Sequence, residues 1–232
     1  MIETDEVSEQ LHRSPLREGH LLTCIRWYVA YPLSYRQLKE LMQERGISVA
    51  HATVNRWVLK YSPQLEETFC HRKRPVWLSW RIDETYIRVR GQWRYLYRAV
   101  DATGQTIDFL LTEQRDEQAA TRFLTNAIRR HGVPERITID GSEANAAAIR
   151  GYNEENATAI IIRQVKYLNN IVEQDHRSVK RITRPMLGFK SFEAAQDTIA
   201  SVELMHMLRK GQLEGGVEQG STPAEQFYSL AA

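Results

Sequence analysis

A carboxylate in the middle of a β-strand needs an explanation. Asp83 lies in Trp80-Arg-Ile-Asp-Glu-Thr-Tyr-Ile87, an apolar and aromatic stretch with the period of a strand. Burying its charge without a partner would be costly. Two further acids stand where regular elements would carry them toward one crevice. Asp140 ends the short apolar run Arg136-Ile-Thr-Ile-Asp140, and Glu173 sits on the helix after the fifth expected strand. The three are 57 and 33 residues apart. Carboxylates sharing a pocket raise one another's pKa. Divalent cations relieve that pressure, and oxygen-only ligands favour Mg²⁺ or Mn²⁺. Two such ions, roughly 3.5–4 Å apart, suit in-line displacement at phosphorus. The chemistry indicated is displacement at a phosphodiester.

Plainer readings stand beside this one. Asp140 precedes Gly141-Ser142 and suits a turn. Glu173 suits a solvated helix position, paired with Arg177 one turn on. Asp83 has no such outlet. Among competing acids, Glu84 is expected on the opposite strand face from Asp83. Asp101 and Glu143 read as turn and helix-start residues, Asp175 is a further competitor, and His176 reads as a surface histidine. Lys180 follows Glu173 by seven residues, two helical turns, so both share a face with Arg177 between them. Cations beside metal-binding acids suit a site that grips a phosphate backbone.

The elements that would position these residues follow from periodicity. Strands are expected at Trp80–Arg90 and Gln92–Val100, joined by the turn Arg90-Gly-Gln92, then at Thr106–Thr112. Asp116–His131 is an amphipathic helix closed by Gly132 and Pro134. A strand at Arg136–Asp140, a helix over 142–155, a strand at Ala159–Val165 and helices at Asn170–Thr183 and Ser191–Lys210 complete the set. Three antiparallel strands followed by alternating helices and strands make a mixed sheet flanked by helices, in the order of a ribonuclease-H-like fold. There the first and fourth strands are neighbours, so Asp83 and Asp140 would face each other.

Ahead of that sheet, residues 20–62 read as three helices. The first, His20–Ala30, ends at Pro32. Ser34 and Gln37 form a capping box for the second, which Gly46 terminates, and the third spans Ala50–Tyr61. Ala50, Val54, Trp57 and Val58 make its expected buried stripe, which turns His51, Asn55, Arg56 and Lys60 outward. That is a helix-turn-helix layout, with groups suited to reading base edges in a major groove.

Charge distribution agrees with a polyanionic partner. The net charge is only +2, yet residues 71–100 hold eight bases against two acids, and residues 177–190 hold five bases and no acid. Residues 1–18 are acidic, with five acids against two bases. The acidic start does not resemble a secretory signal, and no apolar run approaches the roughly 20 residues of a membrane span. Two cysteines, Cys24 and Cys70, exclude a four-cysteine zinc site and make a disulfide framework improbable. A cytosolic, reduced protein with no membrane or small-molecule partner is expected.

The stretches Trp80–Ile87, Tyr95-Leu-Tyr-Arg-Ala-Val-Asp101, Gln164–Arg177 (QVKYLNNIVEQDHR) and Arg184-Pro-Met-Leu-Gly-Phe-Lys-Ser-Phe192 resemble compact bacterial DDE transposases. The nearest likeness is to the single-frame family named for insertion sequence six. The resemblance runs from about Pro15 to Gln212. It implies an α/β protein in which an N-terminal helix-turn-helix is followed by a ribonuclease-H-like, retroviral-integrase-like catalytic domain. It maps the acidic triad onto Asp83, Asp140 and Glu173, and a basic partner onto Lys180. It also implies Mg²⁺ (or Mn²⁺), with two ions per site, nicking at element ends and attack of the freed 3′ hydroxyl on target DNA. After Asp140 many relatives continue Lys-Asn with a Tyr-Pro pair, whereas here the run is Gly-Ser-Glu-Ala-Asn145.

The expected organisation is an acidic segment (1–18), a helix-turn-helix domain (19–66), a basic linker (67–76), a catalytic domain (77–212) and a tail (213–232). DNA contacts are expected from His51, Asn55, Arg56, Lys60, Arg72, Lys73, Arg74, Arg177 and Arg181. The partners are element terminal repeats, target DNA and further copies of the chain, as a homodimer or larger. The alternative functions are a metal nuclease of the same fold and a helix-turn-helix regulator whose second half only dimerises.

Overall fold

The computed structural model describes residues 18–165, 170–215 and 220–231. The chain divides into two compact units. One is helical, built from residues up to Arg74 together with Val179 onward; the other spans Pro75–Ser178.

In the helical unit, α1 (Glu18–Ala30), α2 (Tyr35–Gln43) and α3 (His51–His71) come first. Both halves of the Ser34–Gln37 capping box form, and Gly46 takes the left-handed φ of 74° that ends α2 sharply. Leu38, Met42, Val54 and Val58 are buried between these helices. The third helix does not stop at Tyr61. It continues through Pro63 to His71. An internal proline removes one backbone hydrogen bond, at about 3 kcal/mol. The stripe Val54, Val58, Tyr61, Leu65, Phe69 continues across it, all buried, and that burial outweighs the lost bond. The first half of the expected linker, residues 67–71, is therefore helix.

Two segments expected elsewhere also join this unit. Helix α7 (Phe192–Arg209), expected in the catalytic domain, packs on α3 and α1. It is buried nearly all round, Met205 and Met207 included, so its core-facing side could not be assigned from its own period. The expected tail holds α8 (Pro223–Tyr228), which carries a capping box from Thr222 to Glu225. Phe227 and Leu230 are buried, and α8 packs on α7 and α1. Of the acidic segment, residues 1–17 lie outside the described residues.

The sheet unit follows expectation closely. Strands β1 (Ser79–Val89), β2 (Gln92–Asp101), β3 (Thr106–Thr112), β4 (Arg136–Ile139) and β5 (Ile161–Gln164) form one sheet in the order β3-β2-β1-β4-β5. The first three pair antiparallel, while β4 is parallel to both β1 and β5. This is the ribonuclease-H-like topology. Helices α4 (Glu117–His131) and α5 (Glu143–Asn156) cover one face. Trp80, Ile82, Tyr97, Ala99, Phe123, Ile137 and Ile149 form its core. Asp101 is a turn residue, as expected: its carboxylate accepts from the Thr103 and Gln105 amides at 2.8 and 3.0 Å and from the Trp77 amide at 3.1 Å. Helix α6 (Asn170–Thr183) follows, and the chain passes into the helical unit partway along it.

Candidate active site

The last parallel pair of β1 with β4 joins Arg81 to Thr138. Two residues on, the same register sets Asp83 beside Asp140, at the point where β4 ends and the chain turns through Gly141 (φ 107°). Asp140 does make a turn bond, accepting from the Ser142 amide at 3.1 Å. That bond fixes its carboxylate at the mouth of the sheet, so the turn reading and the site reading describe one geometry.

Oxygens of Asp83, Asp140 and Glu84 all lie within 4.8 Å of one another. The third member corrects the expectation for Glu84. Strand alternation holds: Glu84 shares the core face with Ile82, and Asp83 lies on the other. But the meeting place is the end of a strand rather than a face. Asp140, just beyond the last β4 residue, is within reach of side chains leaving β1 on either side. Glu84 is nearly enclosed. It accepts from the Asn145 amide nitrogen at 2.9 Å and pairs with the Arg115 guanidinium at 3.2 Å. In the run that departs from the family pattern, Asn145 therefore orients a site acid. Glu143 is instead exposed and paired with Arg150.

Burial, then the neighbouring charge of Asp140, with smaller contributions from Glu84 and Glu173, raise the Asp83 pKa to about 7. Burial likewise raises Glu84, with Arg115 and Asn145 opposing. Glu173 lies on the exposed side of the first turn of α6. It is close enough to press on Asp83 electrostatically but is not a member of the 4.8 Å cluster.

The inward side of α6 carries two residues that sequence reasoning misjudged. His176 is buried, 5% exposed, and its Nδ1 lies 3.6 Å from an Asp83 carboxylate oxygen. Asp175 is salt-bridged at 2.7 Å to Arg98, which is fully buried on β2 directly across from Asp83. These contacts tie the helix that bears Glu173 to the strands that bear Asp83. A signal was present: His176 lies four residues after buried Val172 and three before buried Val179, on one helical stripe.

Lys180 is half-buried two turns beyond Glu173 on α6, and Arg177 and Arg181 are exposed. On α3, His51, Arg56 and Lys60 are exposed, whereas Asn55 is half-buried and donates to the Tyr35 hydroxyl at 2.9 Å. Arg72 spends its guanidinium on the carbonyls of Ser229 (3.3 Å) and Gly215 (2.6 Å). Lys73 bridges to Leu213, and exposed Arg74 donates its amide to the Gln212 carbonyl.

The profile of the DDE-domain family matches residues 77–212. A Staphylococcus aureus protein described as the transposase for insertion sequence-like element IS431mec is 35% identical over 220 residues, covering 91% of this chain and 94% of that one. The chain belongs to the compact DDE transposase family named for insertion sequence six. The S. aureus transposase for insertion sequence element IS257 in transposon Tn4003 is 34% identical over the same span. Among solved structures, the HTLV-2 integrase catalytic core domain in complex with magnesium superposes with a TM-score of 0.46 at 15% identity, covering 66% of this chain and 96% of that one.

As a DDE transposase, the protein is a polynucleotidyl transferase that acts on DNA and uses divalent metal. The donor set fits such ions: all-oxygen, three carboxylates within 4.8 Å, one of them pushed to a pKa of about 7 by burial and then by the charge of Asp140. Among the described residues, no helix is long and apolar enough to cross a membrane.

Proposed function

We propose that this transposase binds the terminal repeats of its own element, nicks the DNA at each end and joins the freed 3′ hydroxyl to target DNA. The observation that carries the reading is the convergence of Asp83, within β1, and Asp140, at the carboxyl end of the adjacent parallel strand β4, with Glu84 beside them. Strand ends of this kind are where open α/β sheets bind their ligands.

Asp83, Asp140 and Glu173 would hold Mg²⁺ or Mn²⁺, with Glu84 beside them. When bound, a pair of such ions would activate the attacking oxygen and stabilise the leaving oxygen. The chain's own groups hold and orient. Asn145 and Arg115 fix Glu84, the turn bond from Ser142 fixes Asp140, and His176 packs against Asp83. Arg177, Lys180 and Arg181 offer a row of cations on α6 for the DNA backbone. In each step a new P–O bond forms as another breaks. First a water oxygen displaces the 3′ oxygen at the element end; then that 3′ oxygen attacks a target phosphodiester.

His51, Arg56 and Lys60 on α3 would read or grip the element ends, and residues 19–66 would supply the helix-turn-helix. Because two ends must meet, the working form would be a homodimer or larger, acting on the DNA of a prokaryotic nucleoid.

The test uses full-length protein, labelled element ends and Mg²⁺ against EDTA, scored for nicks and joined products. Asp83→Asn abolishes both while end binding survives. If that variant still joined DNA ends with Mg²⁺ present, the assignment of the site would be wrong.

A further inference from the structure

One face of the β1–β2 hairpin changes character along its length. On β1 it runs Trp80, Ile82, Glu84, Tyr86, Arg88; on β2 the partners are Asp101, Ala99, Tyr97, Tyr95 and Trp93. Trp80 and Ile82 are core, and Glu84 belongs to the acidic cluster. Beyond Glu84 the face opens to solvent. Tyr86 is 50% exposed and Trp93 61% exposed. Their rings meet edge-on, with centroids 6.4 Å apart and planes at 77°, and Tyr86 tilts against Tyr95 at 5.4 Å. Edge-on pairs leave ring faces uncovered, unlike a stacked pair. On the opposite face Ile87, Val89 and Leu96 are buried, so hairpin stability does not depend on apolar groups on the open side. The tip is held rigid by a two-residue turn with φ of 50° at Arg90 and 78° at Gly91, a backbone that matches strand twist.

Charge marks the same surface. Residues 85–98 contain four arginines and no acid; Arg88 stands on this face and Arg90 in the turn, whereas Arg94 and Arg98 lie on the other side. Arg88 lies directly across from Trp93 on the aromatic face and is exposed. Arg115, which pairs with Glu84, also lies within electrostatic range of Tyr86. Uncovered aromatic faces interleaved with guanidinium groups are the chemistry of a single-stranded nucleic-acid platform, because an unpaired base offers a π-face that a duplex hides. Two residues of strand separate Tyr86 from Glu84, about 7 Å. That is on the order of two nucleotides at 3.4 Å per step.

We propose that Tyr86 and Trp93 form a stacking ledge for an unpaired base of the DNA strand end, one to two nucleotides from the phosphate held at the acidic cluster, with Arg88 on its backbone. The ledge rests on the strand-transfer reading for its orientation toward that cluster. Its occupant is an unpaired nucleobase rather than a duplex or a second copy of the chain.

The test compares two probes by fluorescence anisotropy at fixed salt: a blunt mixed-sequence duplex, and the same duplex with a four-nucleotide 3′ thymidine overhang. Wild-type protein binds the overhang probe about tenfold more tightly, within the range that loss of one base–aromatic stack produces. Trp93→Ala and Tyr86→Ala each remove most of that preference and leave blunt-duplex affinity unchanged, while Trp93→Phe retains it. A wild-type protein with no preference for the overhang would overturn the proposal. So would an alanine variant that keeps the preference, whether or not it melts earlier or changes oligomeric state by light scattering; a change of state with the preference intact would assign the ledge to an interface between copies. Asp83→Asn separates the two readings: it keeps the overhang preference. Overhang preference in a protein that never joins strands with Mg²⁺ would sink the strand-transfer reading and leave the ledge standing.

Discussion

In the helical unit, guanidinium groups end on neutral oxygens of the same unit. Arg72 donates to the Ser229 and Gly215 carbonyls, Arg209 to the Ala30 carbonyl at 2.6 Å, and Arg26 to the Tyr228 hydroxyl at 3.0 Å. In the sheet unit, three carboxylates end on one another, and among the described residues only Glu84 has a full cationic partner. The first arrangement uses charge to tie chain ends together. The second leaves charge unbalanced at one place, and an unbalanced, half-buried acidic cluster is a demand for cations. Cationic character by itself is therefore a poor guide here: Arg72 stands in the basic run 72–74, yet its guanidinium is committed within its own unit.

The contrast can be broken experimentally. The largest effect is expected at the ion pair of fully buried Arg98 with the nearly buried Asp175. Arg98→Met strands a buried carboxylate and should cost about 3–5 kcal/mol of stability in urea titration, much of it recovered by adding Asp175→Leu. A cost under 1 kcal/mol would mean that the pair does not anchor α6. Next, Arg72→Ala should lose roughly 1–3 kcal/mol of stability through its two charged hydrogen bonds. It should leave the slope of log Kd against log salt for DNA unchanged; a slope smaller by about one would make Arg72 a phosphate contact instead.

The acid cluster predicts a pH effect of definite sign. Asp83 holds its proton to about pH 7 in the folded chain, against an ordinary value of 3.8. Between those values the folded state binds more protons than the unfolded one. Metal-free stability should therefore fall as pH rises from about 4 to 7. Asp83→Asn should flatten that part of the profile, and millimolar Mg²⁺ should offset it by binding only the folded site. A metal-free profile that rises through this window would contradict the crowding of Asp83. A smaller change is expected from Asn145→Ala, which removes one donor to Glu84: strand joining slows by roughly tenfold with unchanged end binding. The smallest is Arg56→Ala on α3, a several-fold loss of affinity for element ends in a titration at stated salt; unchanged affinity would count against readout by that helix.

Much of this was legible in the chain. All five strands appear within two residues of their expected bounds, because period two and the Arg90-Gly91 turn are local signals. Ser34 with Gln37, and Asp101 in its turn, needed only neighbours within four residues. The DDE family was legible too, since its motifs are long. What escaped was decided at a distance. Glu84 was set aside by a face rule that is correct along a strand but does not govern the strand's end, where Asp140 is reached from both sides. His176 is buried because strands 70 to 100 residues earlier supply the opposing wall. Helix α7 joined the helical unit because a helix buried on nearly every side takes its place from its partners.

Period, caps and turns depend on backbone geometry over a handful of residues, so the order of residues alone specified them. Which acids share a pocket, which arginines are consumed as ties, and which layer a uniformly buried helix enters depend on chain segments tens of residues apart. Those contacts exist only once the sheet and the helices have packed, because burial and like-charge crowding act through space and not along the chain.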